Sequence, residues 1–271
     1  MTPVAAPKIK YLTNKDLLAE IHKSKTSYCS YVDPAHTSYD FIVNDINLIT
    51  VERVEEAQRK KLADLQLQSR KKIAGKVNKD APTYTIDDVP LDEIVIRLMT
   101  FDHIPINPDK VDKAKTESER HIRANFPPYQ HFIMRNGELI CVLKSHWTGG
   151  LENGHFSKDH GRMTNNLAMM FMKLVDRYGH RGNWRGYSYL SEMKSQALLQ
   201  LSQVGLQFDE SRSVSPNPFA YYTQIISTSF MRILNIEKKN QNIRDDLLIM
   251  SGAAPSWTRI VEDEISQKAD K

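Results

Sequence analysis

Apolar residues recur at helical spacing through the last third of the chain. The first predicted helix covers about 165–178 and stops at Gly179. Its apolar residues fall at i, i+3, i+4, i+7 and i+11, the spacing of one helical face: Leu167, Met170, Phe171, Leu174 and Tyr178. The second covers about 188–204 and ends at Gly205, with a core face formed by Tyr189, Met193, Ala197, Leu201 and Val204.

A third helix is predicted from Asn217-Pro218 to the basic pair Lys238-Lys239. Asparagine followed by proline is typical of a helix start, because the asparagine side chain caps the helix and proline suits its first turn. The core stripe of this helix is Phe219, Tyr222, Ile226, Phe230 and Ile233. Three such helices can enclose a compact apolar core.

The preceding two thirds have a more mixed pattern. Leu17, Leu18 and Ile21 predict a short amphipathic helix, and the heavily charged segment 41–79 is predicted to be helical. Two apolar runs flank Asn136-Gly137, the pair that favours a tight β-hairpin. An exposed helix is predicted over 109–126, so residues 81–147 are expected to form a small α+β unit.

These patterns together predict a mainly α protein. We expect an N-terminal helical arm (1–40), an inserted charged helix and small α+β region (41–148), a helical bundle domain (149–250) and a C-terminal tail (251–271).

Composition excludes several classes of protein and favours none. The net charge is only +4, so a nucleic-acid partner requires the charge to be clustered. Two cysteines without metal-ligand spacing, no signal-peptide pattern and no long apolar run predict a protein of a reducing cytoplasm, without a membrane segment. His146, His155 and His160 follow no common metal-ligand pattern and are predicted to be surface loop residues. No catalytic motif occurs, so we expect neither an enzyme nor a cofactor.

The polar side of the third helix is the best candidate for chemistry. An aromatic ring beside amides, hydroxyls and cations can stack on bases and neutralise phosphates. These residues are Tyr221, Gln224, Thr228, Arg232, Asn235, Lys238 and Lys239. The loop before the second helix adds Arg177, Arg181 and Arg185 interleaved with Tyr178, Trp184 and Tyr187. An ordinary amphipathic helix with a solvated face remains the alternative.

The segment from Asn165 to Lys239 resembles region 2 of the sigma factor family, and the late-transcription sigma factors of T-even-type phages in particular. In that family a second helix followed by a phenylalanine and an acidic residue precedes an NPxAY-type helix start. Here these features are Phe208-Asp209 and Asn217–Tyr221. The N-terminal sequence KIKYLTNKDLLAEI is also similar to the start of those phage factors.

The resemblance implies a mode of polymerase binding. In the family the second helix docks on the coiled-coil clamp helices of the β′ subunit of bacterial core RNA polymerase. The matching positions here are Glu192, Gln196, Leu199 and Gln200. The resemblance further implies that the protein acts in the cytoplasm of the infected bacterial host.

The resemblance also implies promoter contacts for the third helix, which in the family holds flipped non-template bases of the minus-ten element. Tyr221 and Tyr222 would stack on bases, with Gln224 and Thr228 nearby. Arg232, Lys238 and Lys239 would hold phosphates, and Trp184 and Arg185 in the preceding loop would add DNA contacts. Primary sigma factors carry paired tryptophans at the wedge, where Gln224 and Ile225 fall here, so an easily melted A/T-rich promoter is expected.

Three departures from the family qualify this expectation. No segment after Lys239 resembles the minus-thirty-five reader, and the tail keeps only Ile260, Val261 and Ile265 of the clip that binds the replication sliding clamp. The middle insertion has no counterpart in the shorter phage proteins, and it is hypothesised to contact polymerase or an activator. The resemblance also implies a phage coactivator as a further partner. The alternatives are a sequence-specific DNA-binding regulator that acts without joining polymerase, and a structural protein of the virion.

Overall fold

The computed structural model describes residues 12–70, 82–105, 124–213 and 215–269, without the side chains of 262, 263 and 266–269. The chain divides into two compact units. Unit 1 contains Met1–Ala168 and Leu206–Pro218, and unit 2 contains Met169–Gly205 and Phe219–Lys271. The N-terminal arm and the inserted region therefore belong to one unit. The predicted domain division did not anticipate this.

Unit 1 is built around a five-stranded mixed sheet in the order β1-β5-β4-β3-β2. Its strands are β1 (Cys29–Tyr31), β2 (Phe41–Val43), β3 (Ile96–Met99), β4 (Tyr129–Arg135) and β5 (Glu138–Ser145). Neighbours pair antiparallel except β2 and β3, which are parallel. Two further short strands, β6 (Trp147–Thr148) and β7 (His155–Phe156), form a separate antiparallel pair.

Six α-helices lie in the part of the chain that the structure describes. They are α1 (Asn14–Thr26), α2 (Val51–Ser69), α3 (Asn165–Gly179), α4 (Leu190–Val204), α5 (Pro218–Met250) and α6 (Trp257–Ala269). Short 3₁₀ helices lie at Pro34–Thr37, Ile46–Leu48, Ile86–Asp88, Leu91–Glu93, Gly182–Trp184, Gly205–Gln207 and Glu210–Arg212.

The prediction of a mainly α protein is wrong, because the mixed sheet makes this an α+β protein. Strands β1 and β2 have three residues each, too few to show an alternating pattern. The parallel pairing of Phe41 with Ile96 joins segments far apart in the sequence. The predicted helix over 41–79 is accordingly shorter at its start and begins at Val51. The helix predicted over 109–126 lies largely outside the described residues.

The hairpin prediction is confirmed. Strands β4 and β5 meet at Asn136-Gly137, whose φ angles of 53° and 84° are both positive. The closing pair is Arg135 with Glu138, so the loop has two residues. Asparagine and glycine tolerate this left-handed backbone better than other residues, which is why they mark the turn in the sequence.

Helix α2 covers one face of the sheet. Its Val54 and Ala57 are buried with Val43, Ile96 and other apolar residues of β2, β3 and the preceding loops. Gln58 is also buried and donates a hydrogen bond from Nε2 to the Val89 carbonyl, 2.6 Å away. The charged residues of α2 are mostly exposed, which agrees with the alternating acids and bases of its sequence.

A buried charge cluster connects three distant segments of unit 1. Glu210 accepts hydrogen bonds from Lys25 Nζ at 3.0 Å and from Arg97 Nη1 at 2.9 Å. All three side chains are at most 3% exposed. Lys25 Nζ also donates to the Phe208 carbonyl at 2.8 Å, so the segment after α4 is attached to α1 and β3.

Aromatic and imidazole rings surround these charges. The guanidinium carbon of Arg97 lies 3.9 Å from the ring centroids of both Tyr39 and Tyr129. Arg97 Nε donates to His131 Nε2 at 2.9 Å. His131 Nδ1 in turn donates to the His36 carbonyl at 2.6 Å. A carbonyl only accepts, so this neutral His131 carries its proton on Nδ1 and can receive the arginine hydrogen bond on Nε2.

Burial sets the protonation states of this unit. It lowers the pKa of His22 and His103 to about 4 and that of His131 and His146 to about 3, so all four are neutral in the fold. Burial acts to raise the pKa of Glu210, but Lys25, His22 and Arg97 lower it, and the resulting pKa is about 2.

We expect Glu210→Gln to destabilise the protein strongly, because it leaves Lys25 and Arg97 buried without a countercharge. The free energy of unfolding should fall by about 3–5 kcal/mol, measured by urea denaturation of the full-length chain. Glu138→Gln, at an exposed position of β5, is the matched control and should change it by less than about 0.5 kcal/mol. Equal losses in the two variants would contradict a special role for the buried carboxylate.

We also expect stability to fall as the pH is lowered from about 6.5. The four buried histidines stay neutral in the fold down to a pH of about 4 but protonate near 6.5 when unfolded, so the unfolded state binds more protons. Each histidine then removes up to about 1.4 kcal/mol per pH unit. The contribution of Glu210 is lost only below about 4.5. Urea midpoints at pH 7.5 and 5.0 measure the effect, and identical midpoints would exclude it.

Candidate nucleic-acid interface

The candidate surface rests on the apolar core of unit 2. The helical stripes predicted from the sequence are largely confirmed, since ten of their fifteen residues are at most 8% exposed. Leu167 is the one of these that belongs to unit 1, and those in unit 2 are Phe171, Tyr178, Met193, Ala197, Leu201, Tyr222, Ile226, Phe230 and Ile233. Within unit 2 the ring of Phe171 on α3 lies 4.8 Å from that of Tyr222 on α5. Tyr178 lies 5.1 Å from Phe230. These contacts determine which side of α5 faces solvent.

Trp184, predicted to contact DNA, is a core residue. Its side chain is 4% exposed and its ring lies 5.2 Å from Phe230 in an edge-on contact. It therefore anchors the loop between α3 and α4 rather than offering a ring to a base. Arg185 follows it and is exposed, and Arg181 packs its guanidinium 4.3 Å from the centroid of Tyr178. The prediction that Trp184 contacts DNA is therefore wrong, and a DNA contact of Arg185 stays a prediction.

The two tyrosines at the start of α5 have different environments. Tyr222 is fully buried, and its hydroxyl donates to the Gly205 carbonyl at 2.7 Å, so it cannot stack on a base. Tyr221 is half-buried, and its hydroxyl lies 3.4 Å from the Val204 carbonyl. Its ring touches that of Tyr222, with centroids 5.3 Å apart. Of the two predicted stacking residues, only Tyr221 is partly exposed.

A row of polar side chains continues from Tyr221 along the outer side of α5. Gln224, Thr228, Arg232 and Lys239 are all exposed and follow at spacings that keep them on one side of the helix. The Thr228 hydroxyl donates to the Gln224 carbonyl at 3.0 Å, so only its lone pairs are open to a ligand. Lys238 is exposed too, but consecutive helical residues point about 100° apart, so it projects from another side.

The predicted polymerase-binding residues lie opposite the buried side of α4. Met193, Ala197 and Leu201 are fully buried, whereas Glu192 is exposed and Leu199 is 52% exposed. Gln196 and Gln200 are half-buried at the margin of the same side. An exposed leucine among acidic and amide groups suits a helix-on-helix contact, in which an apolar anchor is surrounded by hydrogen bonds.

Helix α5 is longer than the sequence pattern predicted, since it continues from Lys239 to Met250. Helix α6 then returns beside it. Asp245 is 1% exposed and accepts hydrogen bonds from the backbone and hydroxyl of Ser256 at 3.0 and 2.6 Å. Gln241 Nε2 donates to the same hydroxyl at 3.2 Å, so the side of α5 that bears Gln241 and Asp245 is occupied by the start of α6.

The three histidines considered as metal ligands have different surroundings and different hydrogen-bond partners. His146 is fully buried, with a φ of 54°, so the prediction of a surface residue is wrong for it. Its Nε2 accepts from the Asn125 backbone at 3.2 Å, while His155 contacts Thr148 and His160 contacts the Ser157 carbonyl. Among the described residues no group of three or more His, Cys, Asp or Glu side chains could hold a metal ion.

Comparisons with protein-family models, curated proteins and solved structures found no match to this chain. Within the described ranges, no helix has both the length and the apolar content to span a bilayer.

We expect the two adjacent tyrosines to respond differently to truncation. Tyr222→Ala removes a buried ring and a hydrogen bond and should lower the free energy of unfolding by about 3–5 kcal/mol. Tyr221→Ala removes a half-buried ring and should cost clearly less. Urea denaturation of both full-length variants measures this. A larger loss for Tyr221→Ala would contradict the assignment of Tyr222 to the core.

Proposed function

We propose that this chain is a sigma factor of the phage late-transcription type. It binds host core RNA polymerase, directs it to A/T-rich minus-ten promoters and captures melted non-template bases. The observation that carries the proposal is the polar row on α5, where a half-buried tyrosine and an exposed amide, hydroxyl and two cations share one side. This supports the resemblance of the segment from Asn165 to Lys239 to sigma region 2.

Each member of the row has a distinct role in the proposal. Tyr221 stacks on an unpaired base, an interaction worth about 1–3 kcal/mol. Gln224 and the lone pairs of Thr228 accept or donate hydrogen bonds at base edges. Arg232 and Lys239 hold phosphates along the helix, and that electrostatic contribution weakens as salt is raised. Arg185 adds a phosphate contact from the loop before α4.

Because Tyr222 and Trp184 are buried and do not contact bases, promoter opening is expected to be weaker. A single accessible tyrosine supplies less stacking energy than two or three aromatic rings. Gln224 and Ile225 stand where primary sigma factors carry a tryptophan wedge. The protein therefore depends on base-pair steps that melt easily, which is why the promoter is expected to be A/T-rich.

Polymerase binding is assigned to the exposed side of α4. Glu192 pairs with a basic side chain of the β′ clamp helices, and Leu199 inserts between polar contacts made by Gln196 and Gln200. The packing of one helix on a coiled coil suits these four positions, because Gln196 lies four residues after Glu192, and Leu199 and Gln200 lie three and four residues after Gln196. Because Leu199 is already exposed, docking buries apolar surface at little cost in rearrangement.

Run-off transcription with bacterial core polymerase on an A/T-rich minus-ten template tests the proposal. Glu192→Lys should abolish core binding, measured by co-sedimentation, because it places a cation against a basic helix. Tyr221→Ala should preserve core binding but reduce promoter opening about tenfold or more, measured by permanganate reactivity of unpaired thymines. Both variants should unfold at urea concentrations close to that of the unchanged protein.

Two exposed positions of unit 1 provide matched controls. Glu138→Lys repeats the charge reversal and Tyr31→Ala repeats the loss of an exposed ring, and both should transcribe normally. Normal transcription by Glu192→Lys and Tyr221→Ala would show that these residues are wrongly assigned. Tight binding to duplex DNA without polymerase, and no co-sedimentation with it, would instead indicate a DNA-binding regulator.

A further inference from the structure

The distal half of α5 exposes a regular apolar stripe. Ile236, Ile243, Leu247 and Met250 are 44%, 49%, 60% and 82% exposed. Together with the exposed Asn240 they recur at alternating spacings of four and three residues, which is the spacing of a coiled coil. We call these five residues the seam. Exposed apolar residues in such a regular row differ from the isolated ones found on any soluble surface.

The described part of unit 2 does not cover the seam. Helix α6 attaches to α5 through Gln241 and Asp245. Asp245 is two residues from both Ile243 and Leu247, and two residues correspond to about 200° around a helix, so the start of α6 lies on nearly the opposite side. Core packing in unit 2 therefore does not explain why these apolar residues are present.

Charged residues of both signs flank the seam. When Asn240 is placed at an a position of a heptad, four of them take the e and g positions beside the apolar residues. At the e positions these are Glu237 and Arg244, and at the g positions Lys239 and Asp246. Each edge of the seam thus carries one acid and one base, seven residues apart. A partner helix of a single charge would be attracted by one member of each pair and repelled by the other.

One register of an antiparallel pair of α5 helices brings the open apolar residues together. In an antiparallel pair, residues at a positions face residues at d positions of the partner. Asn240 then lies opposite the partner's Ile243, and Ile236 lies opposite the partner's Leu247. Each contact occurs twice because the pair is two-fold symmetric, and the resulting four layers extend for about 17 Å along the helices.

The same register places every flanking charge opposite a charge of the other sign. Residues at e face the partner's e positions in an antiparallel pair, and residues at g face its g positions. Glu237 is then opposite the partner's Arg244, and Lys239 is opposite the partner's Asp246, so symmetry produces four ion pairs. Asp246 also lies 3.6 Å from Arg259 of its own chain, but its side chain is 60% exposed and can accept a second cation.

The other arrangements of two α5 helices place like charges together. Shifting the antiparallel register by one heptad brings Arg244 against the partner's Arg244 and Asp246 against the partner's Asp246. The opposite shift does the same for Glu237 and for Lys239. A parallel pair brings Lys239 against the partner's Arg244, and only Arg232 and Glu237 would then meet as opposite charges. Of these arrangements, the first antiparallel register alone is free of like-charge contacts.

The polar member of the seam is also accommodated in this register. Asn240 Nδ2 donates to Glu237 Oε1 of the same chain at 3.4 Å. Asn240 occupies the two central layers, on the edge where Glu237 meets the partner's Arg244. Its Oδ1 can accept a hydrogen bond from that guanidinium, so closing the seam does not leave the amide unsatisfied. An asparagine at such a position lowers stability but favours one register over the others.

We propose that α5 pairs through the seam with α5 of a second copy of this chain, antiparallel and in this register. Four layers make a small interface, so the dimer is expected to be weak and to depend on concentration. Lys239 also belongs to the polar row of α5, so a second copy and DNA would compete for its ammonium group. The inference rests on the structure of α5 and is independent of the proposed promoter function.

Sedimentation velocity of the full-length chain from about 10 to 500 μM tests the proposal, because this range covers a weak dimer. The sedimentation coefficient should rise with concentration towards that of a dimer. Leu247→Asp places a charge in the seam and should keep the chain monomeric. Ile249→Asp is the matched control, because Ile249 is 48% exposed but lies off the seam, and it should associate normally. A monomer throughout the range for the unchanged chain, or equal effects of the two variants, would overturn the proposal.

Charge reversal tests the orientation of the pair. Glu237→Lys and Arg244→Glu each place like charges opposite one another, so each variant alone should associate about tenfold more weakly or worse. An equimolar mixture of the two variants restores opposite charges in both contacts and should recover the dimer. Failure of the mixture to associate would exclude this register. Stronger association of Arg244→Glu alone would indicate a parallel pair, because the new glutamate would face the partner's Lys239, and would also overturn the proposal.

Discussion

The arrangement of unit 1 depends on one buried carboxylate. Glu210 lies 185 residues from Lys25 and 113 residues from Arg97 in sequence, yet it forms hydrogen bonds with both. A buried charge is costly unless it is paired, so none of the three residues is stable in this environment without the others. The cluster therefore selects one way of placing α1, β3 and the segment after α4. We infer that its main contribution is specificity of the fold, since an apolar core of the same volume would match its stability.

Local sequence patterns predicted the elements whose signals are complete within a few residues. Asn136-Gly137 identifies its hairpin because only a positive φ suits that turn, and the helical stripes of unit 2 identify its core. The sheet could not be predicted in the same way. Strands β1 and β2 have three residues each, and their pairing is decided by partners distant in sequence. No local sequence pattern identifies Glu210 as the partner of Lys25 and Arg97.

The candidate surface was predicted in outline and corrected in detail. A helical wheel places Tyr221 and Tyr222 on different sides of α5, and the structure shows which ring is held by the Gly205 carbonyl. Interleaved aromatics and arginines suggested an exposed Trp184. The same pattern also occurs where aromatic rings near a helix end pack into the core, as Trp184 does. The sequence pattern ended the third helix at Lys238-Lys239, whereas α5 continues to Met250.

The division of the chain between its units affects how it can be dissected. The backbone passes between unit 1 and unit 2 after Ala168, after Gly205 and after Pro218. A fragment that starts near residue 149 would retain Glu210 but lack both of its cationic partners. The Glu210 carboxylate and the Phe208 carbonyl would then lose the donors that Lys25 and Arg97 supply. A functional loss on deleting the middle region would then report disruption of unit 1 as readily as a missing contact. Point substitutions on exposed strands, rather than truncations, separate these two causes.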